Sequence, residues 1–204
     1  MKRRIIYLTV FILLLCSKVN AQTKVVGECT IQYSIYQPLL SDTTVIGMKS
    51  VMVKGNQCKT VLTTPQLTQT LLFNVQESKA TIIKEIGTAR FLQEIVYPPA
   101  NTPTLLSMKE VHTDTTVILL GYPCKQIQLK WSDGTIYELL YTNEISPTVS
   151  AFELAFKEVP GLVLSYTVIP ESGNQIQYLA TKLDLSPISL SQFNVNTSLY
   201  QIID

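Results

Sequence analysis

The sequence has 204 residues, 46% of them hydrophobic and 15% charged, with a formal net charge of +1. Ordinary soluble proteins carry about a quarter charged residues, so this chain is poor in charge. Plentiful apolar residues at near-zero net charge exclude intrinsic disorder, and 8 Gly and 10 Pro without a period exclude collagen-like and low-complexity classes.

Chain order begins with an address. Lys2, Arg3 and Arg4 precede an uncharged run from Ile5 to Cys16, and Val19 and Ala21 sit at the −3 and −1 positions of a cleavage before Gln22. This three-part pattern predicts a secretory signal peptide over residues 1–21. The apolar run is too short for a spanning helix, which needs about 20 residues. Leu13-Leu14-Leu15 before Cys16 disfavours a lipoprotein signal. The expected mature chain, 22–204, is therefore exported to the periplasm or beyond, with no transmembrane segment. Cleavage removes four basic residues and no acid, which takes the charge from +1 to −3. That surface offers no electrostatic footprint for nucleic acid or anionic lipid. Cys29, Cys58 and Cys124 remain. An oxidising compartment permits a disulfide, three pairings are open, and an odd count leaves at least one thiol unpaired.

After residue 24 the apolar residues alternate with period 2, the mark of half-buried strands. Strands are expected over Cys29–Gln37, Val45–Lys54, Gln57–Thr63, Thr68–Gln76, Ala80–Ile86 and Arg90–Tyr97. Residues 98–110 read as a loop, with room for one helical turn. Thr115–Leu119, a Gly121-Tyr122-Pro123 corner, Cys124–Trp131, the Ser132-Asp133-Gly134 turn and Thr135–Thr142 follow. Residues 146–157 carry the best helical signal, through Val149, Phe152, Leu154 and Phe156. Leu162–Ile169 and Gln175–Leu185 make a last hairpin, and Pro187–Phe193 is expected to turn helically. About ten strands at this spacing predict an all-β sandwich or barrel. No composition shift or linker divides them, so 22–204 reads as a single β-rich domain. An apolar face on such a sheet must close on itself or curl around something.

The residues supply no catalytic set. His112 is the single His, and only Asp114 lies near it in sequence, within a polar connector. A Ser-His-Asp arrangement would need a distant partner. Two residues are too few for a metal site, and the cysteine spacings fit no zinc pattern. Glu85 and Glu94 are a carboxylate pair only in the sense that any two acids are. No Gly-rich phosphate loop is present. No catalytic residue, metal or cofactor is therefore expected, and the chain reads as a non-enzyme. The aromatic residues on the strands suit either an ordinary core or an aromatic-lined cavity. Side chains two apart share a face. Ile31, Tyr33 and Ile35, and likewise Ile127, Leu129 and Trp131, are apolar while their alternates are mostly polar. These six are the candidate lining of a ligand cavity.

Several stretches carry a resemblance. Leu120–Ile127 (LGYPCKQI) is followed by the hairpin at Asp133-Gly134, by Tyr141-Thr142-Asn143-Glu144-Ile145, and then by Val159-Pro160-Gly161-Leu162-Val163-Leu164. This order resembles the GLPGLI family of secreted bacterial proteins of unknown function, with Val159 where that motif has Leu. The layout is similar to LolA/LolB-type lipoprotein carriers. That similarity implies a mainly β fold: a curled antiparallel sheet or half-open barrel with one or two short helices over an apolar cavity. Two roles follow as expectations. One is a periplasmic or secreted carrier of a lipid, a lipoprotein or another apolar ligand. The other is a cell-envelope interaction domain with a packed interior and a protein partner.

Overall fold

The structure, a computed structural model, describes residues 23–38, 44–111 and 116–203. The expected leader at 1–21, with Cys16, lies outside these residues, as do His112 and Asp114. The strands are β1 (Lys24–Val26), β2 (Glu28–Tyr36), β3 (Val45–Lys54), β4 (Gln57–Thr63), β5 (Thr68–Asn74), β6 (Lys79–Ile86), β7 (Ala89–Val96) and β8 (Leu105–Val111). They continue as β9 (Val117–Leu119), β10 (Tyr122–Trp131), β11 (Ile136–Thr142), β12 (Ile145–Pro147), β13 (Leu162–Ile169), β14 (Ile176–Asp184) and β15 (Gln201–Ile202).

Among the described residues, thirteen strands form one sheet in the order β15-β7-β6-β5-β4-β3-β2-β14-β13-β11-β10-β8, with β9 alongside β10. The sheet is mainly antiparallel, curls over its apolar face, and does not close into a barrel. The mainly β, curled-sheet expectation is met. No helix among the described residues is long and apolar enough to cross a membrane.

Alternation fixes the two faces. Pairing carries one inner row through Cys29, Val53, Cys58, Phe73 and Ala80, and the next through Ile31, Val51, Thr60 and Leu71. On the other side of β2 the inner row runs Ile35, Tyr178, Tyr166, Leu139 and Ile127. These rows make one contiguous core. Cys29 and Cys58 sit two strands apart in one row, about 9.5 Å at normal strand spacing. That exceeds what a disulfide spans, and Cys29, Cys58 and Cys124 are all free and buried.

Two sequence expectations are corrected. Residues 105–111 are a strand, not loop: β8 pairs with β10 along the sheet edge. Leu105 and Leu106 are adjacent, and an edge strand needs no clean alternation. Residues 146–157 hold no α-helix. They begin within β12, and only Leu154–Phe156 makes a short 3-10 turn. This stretch belongs to a segment, 148–161, that crosses the inner face and buries Val149, Phe152, Phe156 and Val159 there. Its entry is pinned: β12 pairs with β1 in parallel, Thr148 N donates to Val26 O at 3.0 Å, and Thr148 Oγ1 donates to Gly55 O at 2.6 Å. Residues 145–147 are thereby held in an extended, strand-paired conformation that a helix starting at 146 could not share. Over the outer face runs the tail that follows β14. Ile188 N donates to Glu28 Oε2 at 2.6 Å, Lys59 Nζ donates to Gln192 O at 2.8 Å, and Ile203 N donates to Leu92 O at 2.9 Å.

Two backbone positions govern how the crossing segment and the β9–β10 hairpin form. A Cβ on Gly161 would lie 2.1 Å from Thr142 O, so the segment re-enters the sheet only without a side chain. Leu120 and Gly121 connect β9 to β10 with φ of 50° and 86°, both positive, as a two-residue hairpin turn requires. Leucine is unfavourable in that region by roughly 1–2 kcal/mol. Leu120→Asn is therefore expected to raise unfolding stability by about 1 kcal/mol, measured by urea denaturation. Gly161→Ala should lower it by about 2 kcal/mol or more, because overpacking against backbone has no rotamer escape.

Candidate functional site

The crossing segment does not fill the inner face completely. A cleft of about 470 Å³ remains between it, β3 to β5, the 97–103 loop and the β10–β11 hairpin. Its walls carry Leu62, Leu71, Tyr97, Phe152 and Leu154, together with Trp131, Tyr137 and Tyr178. Few charged groups reach it: Lys49, Asp133 and Glu153.

Lys49 is the unusual member. It lies in the inner row Tyr33, Lys49, Leu62, Gln69 and is only 3% exposed. Its parity with Val51 and Val53 on β3 forces it inward. Its Nζ pairs with Glu153 Oε1 from the crossing segment and donates to Tyr166 Oη at 2.9 Å. Three rings flank it, with Phe152, Tyr166 and Tyr178 centroids at 5.8, 5.4 and 5.5 Å. Burial pulls the ammonium down to about 7, opposed by the Cys58 thiol. The Glu153 carboxylate and the ring faces also favour the charged form.

The aromatic groups around it are held by edges and stacks. Tyr166 stacks on Tyr178 at 4.3 Å, and Phe156 meets Tyr166 edge-on at 4.9 Å. Burial pushes the Tyr97 phenol up to about 12 and raises those of Tyr137 and Tyr178, so all three are neutral hydrogen-bond donors at neutral pH. Trp131 is 9% exposed, and its indole Nε1 is buried without a hydrogen-bond partner. Burial likewise raises the thiols, Cys29 to about 11 and Cys58 to about 12, which leaves them unreactive. Among the described residues no three His, Cys, Asp or Glu are grouped to hold a metal ion.

The six residues selected by alternation are all buried. Ile31, Tyr33, Ile35, Ile127 and Leu129 pack into the core, and Tyr33 Oη donates to Val163 O at 2.7 Å. Of the six, Trp131 borders the cleft. Sequence reasoning missed Lys49 and Glu153. The available signal was a lone lysine in the inward stripe of β3, and a glutamate between Phe152 and Leu154.

Comparison with known proteins adds little to this geometry. No family model matches the chain, and no curated protein matches it. Among solved structures it is similar to PNGF-II, with 15% identity over 87% of this chain and 31% of that one, at a TM-score of 0.49. It is also similar to MucB, with 10% identity over 90% of this chain and 61% of that one, at a TM-score of 0.45. The chain thus spans less than two thirds of the length of either. Neither likeness transfers a function.

Lys49 sets a pH dependence. A lysine that titrates near 7 when folded and near 10.5 when unfolded binds fewer protons in the native state across that interval. Stability then rises with pH from about 7 toward 10. Lys49→Met removes this contribution and leaves Glu153, which is 38% exposed, to be solvated. The variant should gain roughly 1–4 kcal/mol below pH 7, as buried ion pairs replaced by apolar groups can. The gain should shrink toward pH 9. Denaturation at both pH values measures it.

Proposed function

We propose that this protein is an exported, non-enzymatic binding protein that holds a lipid or another apolar ligand in the cleft of its curled sheet. The observation that carries the reading is the cleft itself. At about 470 Å³ it falls in the roughly 300–1,000 Å³ range of small-molecule sites, which are mostly apolar with a few placed polar groups. The cleft matches that description, with aromatic and aliphatic walls around Lys49 and Glu153. The likeness of the 120–165 stretch to the GLPGLI family, and of its layout to LolA/LolB-type carriers, supports the same role. The n-region, apolar run and small-residue end of residues 1–21 support export with cleavage after Ala21.

A second reading is favoured by a different observation. Much of the inner face is filled by the protein's own Tyr33, Phe152, Phe156 and Tyr166. A filled interior suits a cell-envelope domain whose partner is another protein.

Trp131 separates the two, because it is the single Trp and borders the cleft. The carrier reading expects blue-shifted emission that shifts further or quenches on titration with a fatty acid or phospholipid. Blue-shifted emission indifferent to every lipid tried would favour the packed domain. Native mass spectrometry of protein purified from its source should find co-purified lipid. The same spectrum reads the mass of the chain cut after Ala21.

A further inference from the structure

We propose that Lys49 is the head-group site for a single-chain amphipath bearing a carboxylate, and that the ligand's carboxylate takes the place Glu153 now holds. This rests on reading the cleft as a ligand site, and names the ligand class.

The two halves of the Lys49–Glu153 pair are held very differently. Lys49 is 3% exposed, on a central strand bonded on both sides by β2 and β4. Glu153 is 38% exposed, on the stretch just before the 3-10 turn. Glu153 can rotate into water at little cost, whereas Lys49 has nowhere to go. A buried ammonium without a counter-charge is strongly unfavourable, and burial already brings Lys49 down to about 7, so an anionic group in place of Glu153 keeps the lysine charged and paired while a neutral one makes it give up its proton. A ligand carboxylate restores the same charge and the same bond type. A neutral head offers no charge to pair with the ammonium and forfeits that charge-assisted bond.

A second polar feature belongs to a residue of the cleft wall. The Trp131 indole N–H is buried without a partner, although buried polar groups are almost always satisfied. Among the described residues, Glu153 is the carboxylate that Lys49 engages. A carboxylate has two oxygens and about four acceptor sites, so one bound to Lys49 keeps acceptor capacity beyond the ammonium. Leu62, Leu71 and Leu154 offer the apolar walls that a chain attached to that carboxylate requires.

The test compares dodecanoate with methyl dodecanoate, the same chain without the charge, by calorimetry on the wild type, Glu153→Gln and Lys49→Met. The expected wild-type preference is about tenfold or more for the acid, since a hydrogen bond to a charged group is the stronger kind. Glu153→Gln should tighten dodecanoate by about tenfold, by removing the internal competitor, and leave the ester unchanged. Lys49→Met should bring the acid down to the ester's affinity. Equal affinity for acid and ester in wild type and in Glu153→Gln would overturn the head-group assignment while leaving the cleft a ligand site. Failure of both compounds to bind the wild type would instead overturn the binding function and this proposal with it. Should Glu153→Gln, which leaves the buried ammonium unpaired, not fold, the comparison of acid and ester on the wild type and Lys49→Met decides alone.

Discussion

A sheet with one apolar face has to hide that face, and every larger feature of this molecule answers that requirement. The long strands β2, β3, β4 and β10 alternate in burial and together present more inward apolar area than a flat sheet can shelter. Curling brings the inner rows of β2 to β5 opposite those of β10 to β14. Full closure would have removed the edges, but β8 and β15 stay at opposite ends of the order. The remaining gap is covered from within by 148–161, and the outer face by the tail after β14. The crossing segment is thus no decoration on a finished fold. Without Phe152 and Phe156, Tyr33 and Tyr166 would face water.

How that segment is held explains why it leaves a cleft. Its entry is fixed by β12 on β1 and by Thr148, and its exit by the side-chain-free contact of Gly161 with Thr142. Between those anchors the chain has one short 3-10 turn and a single ion pair to the sheet. Rings pack tightly near β2 and β13, where Tyr33, Phe152, Phe156 and Tyr166 meet in one tilted and three edge-to-face contacts. Toward β4, β5 and the 97–103 loop space remains, lined by Leu62, Leu71 and Tyr97. The inner face is therefore packed at one end and open at the other.

Most of this architecture was readable from the sequence because β alternation is a local signal. Val45–Lys54, Gln57–Thr63 and Leu162–Ile169 coincide with β3, β4 and β13 end to end, and the inward parity of Ile31, Tyr33, Leu129 and Trp131 needed nothing but spacing. The misreadings share a cause. In 146–157 the spacing of Val149, Phe152 and Phe156 mimics a helical stripe, yet those residues are buried by tertiary contacts on a pinned, mostly irregular path. β8 shows little apolar alternation because most of this edge strand is exposed. The cleft was not legible at all: its shape follows from the route of the crossing segment, and a lone lysine in an apolar stripe gains meaning only when a carboxylate arrives from 104 residues away.

The energetic oddity of the interior is that a fold driven by apolar burial keeps an ammonium in its middle. A core alone gives no reason for it, since an apolar residue of similar length would pack there with less desolvation cost. Nor does the ion pair fix the path of the crossing segment, whose two ends are already tied by backbone contacts. What the pair does is place one half-exposed carboxylate over one immobile cation, at the boundary between the packed end and the open end. Moving Glu153 outward would leave the anchors at Thr148 and Gly161 intact and the rings in place, so an exchange of partners on Lys49 would require no unfolding of the sheet. The buried charge thereby sits on the wall of the cleft rather than in the closed part of the core.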